Sequence, residues 1–361
     1  MELQLDTSKK YAVALEGGGA KGAYEVGVWQ ALHEAGVKIS AVSGASVGAL
    51  NGAMMVMGDL EKAISLWEHI RFSQVVDVDD ETVKGYYDKR LSRGELIQFF
   101  KDMADVVKKG GFDSEPLRRL LEEVVDEEQV RQSETAFYFV TYSLSDRKEL
   151  DLDVKELPKG SLIDMLLASA YFPAFKQEPL GGKWYTDGGI QNVIPIDCLL
   201  KRGYRDIIAI RIFGVGMEKK IEIPEDAEII QIAPREKLGG VLQFDGEQAK
   251  QDIQLGYYDG LRMLYDLVGE NYYIDRKWTE EKAYEVLKNL LLHESEKNGE
   301  MISLRELNEE RIPRLAKKMK EKGDYYTILL RILEKRAEDL GISPFQVLTE
   351  EELYGQIVDK Q

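Results

Sequence analysis

Residues 11–15, Tyr-Ala-Val-Ala-Leu, form an uninterrupted apolar run that ends in a cluster of glycines. This pattern predicts a strand buried on both faces. From Ala23 the period changes: Ala23, Val26, Trp29 and Leu32 recur at helical spacing, and Gly36 stops the run. Ala41–Ser43 reads as a second brief strand, and Val47–Val56 as a helix of small and apolar residues. Strand, helix, strand and helix in quick succession open an α/β layered fold.

A helical insertion is predicted at about residues 60–130, starting with the amphipathic "GDLEKAISLWEHI". Within it, "FDSEPLRRLLEEVV" places Ser114 as helix cap, with Glu115 and Pro116 in the first turn. Phe137–Leu144 is rich in β-branched and aromatic residues and reads as a strand, whereas "LIDMLLASA" reads as a buried helix. Strands return at Asp206–Phe213 and Ala227–Ile232, and beyond about residue 240 the chain is helical and strongly charged. There is no internal repeat or low-complexity segment. The expected division is a sheet domain over residues 10–215 and a mainly helical region over 216–361 packed on it. The charged region is most simply a solvated helical appendage, with a partner-binding face as the alternative.

Composition narrows the function classes. A 361-residue chain with 44% hydrophobic and 31% charged residues is an ordinary globular protein. Its net charge of −17 argues against binding nucleic acid. It also argues against simple adsorption to anionic lipid, although a local apolar patch can still dock. The single cysteine, Cys198, excludes an internal disulfide, fits a reducing compartment and sits in an apolar run that suggests packing. The N-terminus lacks the order of a signal peptide, and no apolar run reaches the ~18 residues of a spanning helix, so a cytoplasmic location is expected.

The chemistry starts at "VSGASVGAL", residues 42–50. Gly44-Ala45-Ser46-Val47-Gly48 is a G-x-S-x-G between a predicted strand and a predicted helix, the context of a nucleophile elbow. The pentapeptide alone is a weak signal; the strand–turn–helix context strengthens it. Gly44 and Gly48 leave room for the tight turn, and Ser46 falls at a helix N-terminus, where negative charge is favoured. The histidines that could activate it are His33, His69 and His293. The first two lie in predicted helices. The order Ser46, Asp187, His293 matches an α/β-hydrolase triad, but His293 sits in a charged helical stretch and Ser46 comes early for that fold. The other candidate base is Asp187 in "KWYTDGGIQNVIPI", where Gly188 and Gly189 let a backbone or substrate come close. On its own D-G-G is most often a turn; desolvation and a hydrogen bond to a serine make its carboxylate a plausible base.

Acyl transfer needs donors for a developing oxyanion. "EGGGAKG" supplies consecutive backbone amides at Gly17, Gly18, Gly19, Ala20, Lys21 and Gly22. Gly17, Gly19 and Gly22 also spell the G-x-G-x-x-G of a dinucleotide loop, but "GVKISAV" offers no acidic residue for a ribose, and the Walker pattern is absent. The same glycines form an anion nest as readily for an oxyanion. Lys21 either adds positive charge near the site or faces solvent. With no H-E-x-x-H and few His or Cys, neither a metal nor a cofactor is expected.

Together these residues resemble the patatin-like phospholipase family. The resemblance rests on the glycine-rich G-G-G-x-[KR]-G at 17–22, the G-x-S-x-G at 44–48, "LLASAYFPAF" at 166–175 and the D-G-[AG] at 187–189, in family order across about residues 10–200. It implies a three-layer α/β/α fold with a mostly parallel central sheet, and a Ser–Asp dyad with the glycine loop as oxyanion hole. Ser46 carries over as nucleophile, Asp187 as its base, and the amides around Gly18, Gly19 and Ala20 as donors. Tyr171 is bulkier than the residue expected there, implying a narrower acyl pocket. The region after about 215 resembles C-terminal extensions of bacterial members. The function implied is hydrolysis of lipid carboxylic esters without a cofactor, with a membrane surface as one place to meet the substrate. Phospholipid, lysophospholipid, glyceride and nonlipid esters all fit, and the oligomeric state is left open. A nucleotide-binding protein using residues 17–22, or a catalytically silent lipid-binding regulator, are the alternatives.

Overall fold

In the computed structural model, described for residues 1–78, 80, 111–319 and 324–360, the first apolar run is the central strand β1 (Lys10–Leu15). It is followed by helix α1 (Ala23–Glu34), strand β2 (Lys38–Ala45) and helix α2 (Val47–Met57). The sheet adds β3 (Ala136–Ser143), β4 (Lys148–Asp153), β5 (Tyr185–Asp187), β6 (Asp206–Ile210) and β7 (Glu228–Ile232). Its order is β4-β3-β2-β1-β6-β7, with β5 also on β3. The four pairings from β3 through β2, β1 and β6 to β7 are parallel, and β4 and β5 are antiparallel to β3.

The alternation of side chains along the strands makes three layers. Ala12, Ala14, Ala41, Ala45, Val140 and Ala209 share a core with Cys198 and Leu199 of helix α7 (Ile196–Lys201). On the other face, Gly52 of α2 lies against Phe137 and Val42, close enough that a Cβ would meet their side chains. Helices α3 (Leu60–Glu68), α4 (Glu115–Val124), α5 (Glu127–Gln132) and α6 (Leu162–Ser169) complete the segment between β2 and β5. The part of the expected insertion at residues 81–110 lies outside the described residues. Ser114 stands at the N-terminus of α4, but its side chain makes no cap bond. The carboxylate of Asp113 accepts the Glu115 amide instead, at 2.8 Å.

The sheet unit runs from Leu5 to Leu261, beyond the residue 215 at which composition divides the chain. The physical reason is twofold. Strand β7 pairs with β6, and helix α8 (Gly246–Tyr265) crosses α1 at glycine contacts: a Cβ on Gly256 would sit 2.1 Å from the Tyr24 carbonyl oxygen. The second unit holds residues 262–361 with Met1–Gln4. It has its own apolar core, including Leu287, Leu329, Leu333 and Leu353, and a two-stranded sheet of β8 (Tyr273–Ile274) and β9 (Val347–Leu348). No helix among the described residues is long and apolar enough to cross a membrane.

Candidate active site

Strand β3 brings Ser46 and Asp187 together. Its Val140 pairs with Ala45, the last residue of β2, and its next residue, Thr141, pairs with Asp187 at the end of β5. Where β2 turns away into α2, β5 takes over the same edge of β3. The turn is tight: Ser46 has φ 53° and ψ −125°, a conformation that costs a non-glycine residue about 1–3 kcal/mol. A Cβ on Gly44 would sit 2.3 Å from the Gly48 carbonyl oxygen, and one on Gly48 would sit 2.7 Å from that of Leu15. Both glycines are therefore required for the backbone to close up here. Gly188 has the same role behind the aspartate, where a Cβ would sit 2.3 Å from the Val140 oxygen.

The Ser46 hydroxyl donates to Asp187 Oδ2 at 2.6 Å, and the Gly189 amide donates to Oδ1 at 2.7 Å. Burial pushes the Asp187 carboxyl from 3.8 up to about 6, against the lowering effect of those two hydrogen bonds. His33, His69 and His293 are all exposed, and His69 Nδ1 lies 2.8 Å from the Ser65 carbonyl oxygen. Among the described residues, no group of three or more His, Cys, Asp or Glu could hold a metal ion.

The glycine loop is more selective than its sequence suggests. The Gly17 amide donates to the Val193 carbonyl and the Ala20 amide to the Val241 carbonyl, each at 2.8 Å. Ala20, expected among the donors, is thus already engaged. The amides of Gly18 and Gly19 have no hydrogen-bond partner among the described residues, and both residues line the cavity beside Ser46. Gly19 has φ +59°, and a Cβ there would sit 2.2 Å from the Val241 oxygen. Lys21 neither lines that cavity nor reaches freely into solvent. Its ammonium donates to the Phe213 carbonyl at 2.7 Å, and burial lowers its pKa. Gly22 lies beneath, its carbonyl accepting from Asn51 Nδ2 at 2.9 Å.

The cavity holds about 190 Å³. Apart from Ser46 and Asp187, every side chain lining it among the described residues is apolar, with Leu50, Trp67, Leu121, Phe172, Val241 and Phe244 among them. Tyr171 does not line it. Its side chain is buried, and its hydroxyl donates to the Lys176 carbonyl at 2.6 Å and accepts from the Glu178 amide at 3.1 Å. Its bulk therefore closes a turn and leaves the cavity unnarrowed.

Three supports escaped the sequence reading. Ser169 Oγ accepts the Ser46 amide at 3.0 Å and donates to the Val140 carbonyl at 2.6 Å, tying the elbow to β3. Its signal was the serine within "LLASA". Replacing Ser169 by Ala leaves both backbone groups without this partner. We expect a stability loss of about 2 kcal/mol in urea unfolding; an unchanged midpoint would show the link to be dispensable. Glu16, only 1% exposed, accepts the Ile212 and Phe213 amides and the Arg211 guanidinium, fixing the segment after β6 beside the glycine loop. An acid closing an apolar strand was the visible clue. Beneath the loop, Asn51 joins Glu25 and the Trp67 indole at 2.8 and 3.0 Å. Burial drives the Glu25 carboxyl well above the usual range.

The chain is therefore an α/β protein with a serine on a strained strand–helix turn, hydrogen-bonded to a buried aspartate at an apolar cavity. The patatin-like phospholipase family profile matches residues 13–200, just over half of the chain, and the protein belongs to that family. It is 25% identical over 220 residues to the human patatin-like phospholipase domain-containing protein 6, a match covering 60% of this chain and 14% of that protein. Over 46 residues, 13% of this chain and 3% of the relative, it is 48% identical to lysophospholipase nte1 of Aspergillus terreus. The chain thus spans only a small part of the length of these relatives. Among solved structures, VipD from Legionella pneumophila aligns with a TM-score of 0.42 at 13% identity, covering 90% of this chain and 85% of that one.

Proposed function

We propose that this protein hydrolyses carboxylic esters of lipids, with Ser46 as nucleophile and Asp187 as the base that takes its proton. The observation that carries the reading is the 2.6 Å hydrogen bond from Ser46 to Asp187 in the lining of an apolar cavity. Serine attacks the ester carbonyl while its proton passes to the carboxylate. The amides of Gly18 and Gly19 stabilise the oxyanion of the tetrahedral intermediate. Collapse of that intermediate expels the alcohol, which takes up the proton held by Asp187. Water, deprotonated by the same carboxylate, then releases the fatty acid and regenerates Ser46.

The lining supports an acyl chain as the occupant. Each methylene transferred into it gains about 0.8 kcal/mol, whereas a nucleotide's ribose and base would find no polar side chain among the described lining residues beyond Ser46 and Asp187. The intact serine and aspartate likewise favour catalysis over a silent lipid-binding role. Labelling with a fluorophosphonate probe tests the assignment. Wild type is expected to label covalently and Ser46→Ala to stay unlabelled, while equal labelling of the two would remove Ser46 as nucleophile.

A further inference from the structure

The segment Phe213-Gly214-Val215-Gly216-Met217 alternates large apolar residues with glycines. Both glycines face inward. A Cβ on Gly214 would sit 1.7 Å from the Gly17 carbonyl oxygen, and one on Gly216 would sit 2.1 Å from that of Gly189. Phe213, Val215 and Met217 are turned outward, with 57%, 81% and 51% of their surfaces exposed. Ile190, on the turn after Asp187, is 37% exposed. Ile190 and Val215 also line the cavity that holds Ser46. The apolar surface is therefore continuous from the cavity wall to the outside.

This display is held in place. The Met217 amide donates to the Gly189 carbonyl at 3.1 Å and its carbonyl accepts the Val193 amide at 2.9 Å. At the other end, the Phe213 amide donates to Glu16 and its carbonyl accepts from Lys21. Bonds at both ends keep these side chains from folding back onto the protein, so little ordering is needed when they are buried.

We propose that Ile190, Phe213, Val215 and Met217 form a rim that docks the protein on a lipid surface of no net charge, placing the mouth of the cavity against the acyl layer. The inference rests on the reading that the cavity takes an acyl chain, because a lipid ester then reaches Ser46 directly from the surface on which the rim sits. The choice of a neutral surface follows from charge. The chain carries −17 overall, and two of the cations beside the rim are held in ion pairs, while Lys220 is exposed. Arg211 pairs with Glu16 and Glu218, and Lys219 with Glu149 and Asp197. Among these residues the four carboxylates Glu16, Glu149, Asp197 and Glu218 outnumber the three cations, so they leave no surplus of positive charge to draw anionic head groups.

The test uses the full chain with Phe213→Asn and Met217→Asn combined. Neither side chain lines the cavity, and asparagine tolerates the positive φ of 48° at Phe213. Binding to phosphatidylcholine vesicles is measured by co-sedimentation on the Ser46→Ala background, so it does not depend on turnover. Hydrolysis of a soluble short-chain ester is measured with Ser46 intact. The double variant is expected to bind vesicles at least about tenfold more weakly and to hydrolyse the soluble ester at the wild-type rate. Undiminished vesicle binding by the variant, no vesicle binding by wild type, or binding only to anionic vesicles would each overturn the proposal. So would concentration-dependent self-association that the variant loses while vesicle binding is unchanged. A wild-type protein inactive on the soluble ester would instead count against the catalytic reading, and the vesicle result would still decide the rim.

Discussion

Replacing Asp187 by Asn is expected to slow ester turnover by about 10³–10⁴-fold while leaving the protein folded. The amide fills the same space and can still meet the Gly189 amide and the Ser46 hydroxyl, but it cannot take a proton. In the proposed mechanism only the ionised carboxylate accepts that proton, and burial pushes its pKa up to about 6. On a soluble ester, kcat/KM should therefore rise with pH through about 6 and level off above it. A flat profile across that range, or an Asp187→Asn variant with undiminished turnover, would remove Asp187 as the base.

The same shift has a consequence for stability of opposite sense. The folded state holds the Asp187 proton more tightly than an unfolded chain, whose aspartates titrate near ~3.9. As pH rises from about 4 to about 6, this residue's contribution to stability falls, and above about 6 it stays at its lower value. Asp187→Asn removes the buried charge, so at pH 7 the variant should be at least as stable as wild type in urea unfolding. Asp252 on α8 is also pushed up to about 6 by burial. The comparison between wild type and Asp187→Asn isolates the part that belongs to the site. Activity and stability then move in opposite directions with pH, as expected where a charge is kept in a desolvated place for chemistry.

The second large effect is expected at Gly19. Alanine there meets two obstacles at once: a backbone with φ +59° and a Cβ 2.2 Å from the Val241 carbonyl oxygen. The second contact is with backbone, so the glycine loop or the segment at residues 239–244 must move. Either shift misaims the free amides of Gly18 and Gly19. Losing oxyanion donors lowers kcat by about 10²–10³-fold, and Gly19→Ala should do so on a soluble ester with KM little changed. Fluorophosphonate labelling should slow by a similar factor, because the probe's phosphoryl oxygen needs the same donors. A kcat equal to wild type would show that these amides are not the oxyanion donors.

Much of this molecule could be read from local pattern. Tyr11–Leu15 and Val47–Val56 are visible because a buried strand needs an unbroken apolar run and a buried helix needs small apolar residues. Their observed limits, Lys10–Leu15 and Val47–Met57, differ by one residue each. Gly44 and Gly48 are visible around Ser46 because an elbow leaves no space for side chains on either side. Strand β4 was missed: "KELDLD" alternates charged and apolar residues at the sheet edge, and its pattern is no stronger than that of a polar loop. Strand β5 has only three residues, too few for any period to show, and its one signal is the aromatic, strand-like run that leads into Asp187.

By itself, the sequence determined an α/β layering, a serine on a glycine-flanked turn, an aspartate before two glycines and a loop of closely spaced amides. These are local properties, set by backbone conformation and side-chain volume within a few residues. Tertiary structure alone decided how they combine. Pairing along β3 set Ser46 against Asp187 across 141 residues of chain. Hydrogen bonds donated to the Val193 and Val241 carbonyls engage the Gly17 and Ala20 amides and leave those of Gly18 and Gly19 without a partner among the described residues. Phe213 took up Lys21, and Ser169 took up the Ser46 amide. The cavity drew Val241 and Phe244 from a segment whose composition had suggested only a charged appendage. Each of these outcomes depends on which distant backbone group claims a donor or fills a space, and that competition is resolved only when the sheet has formed.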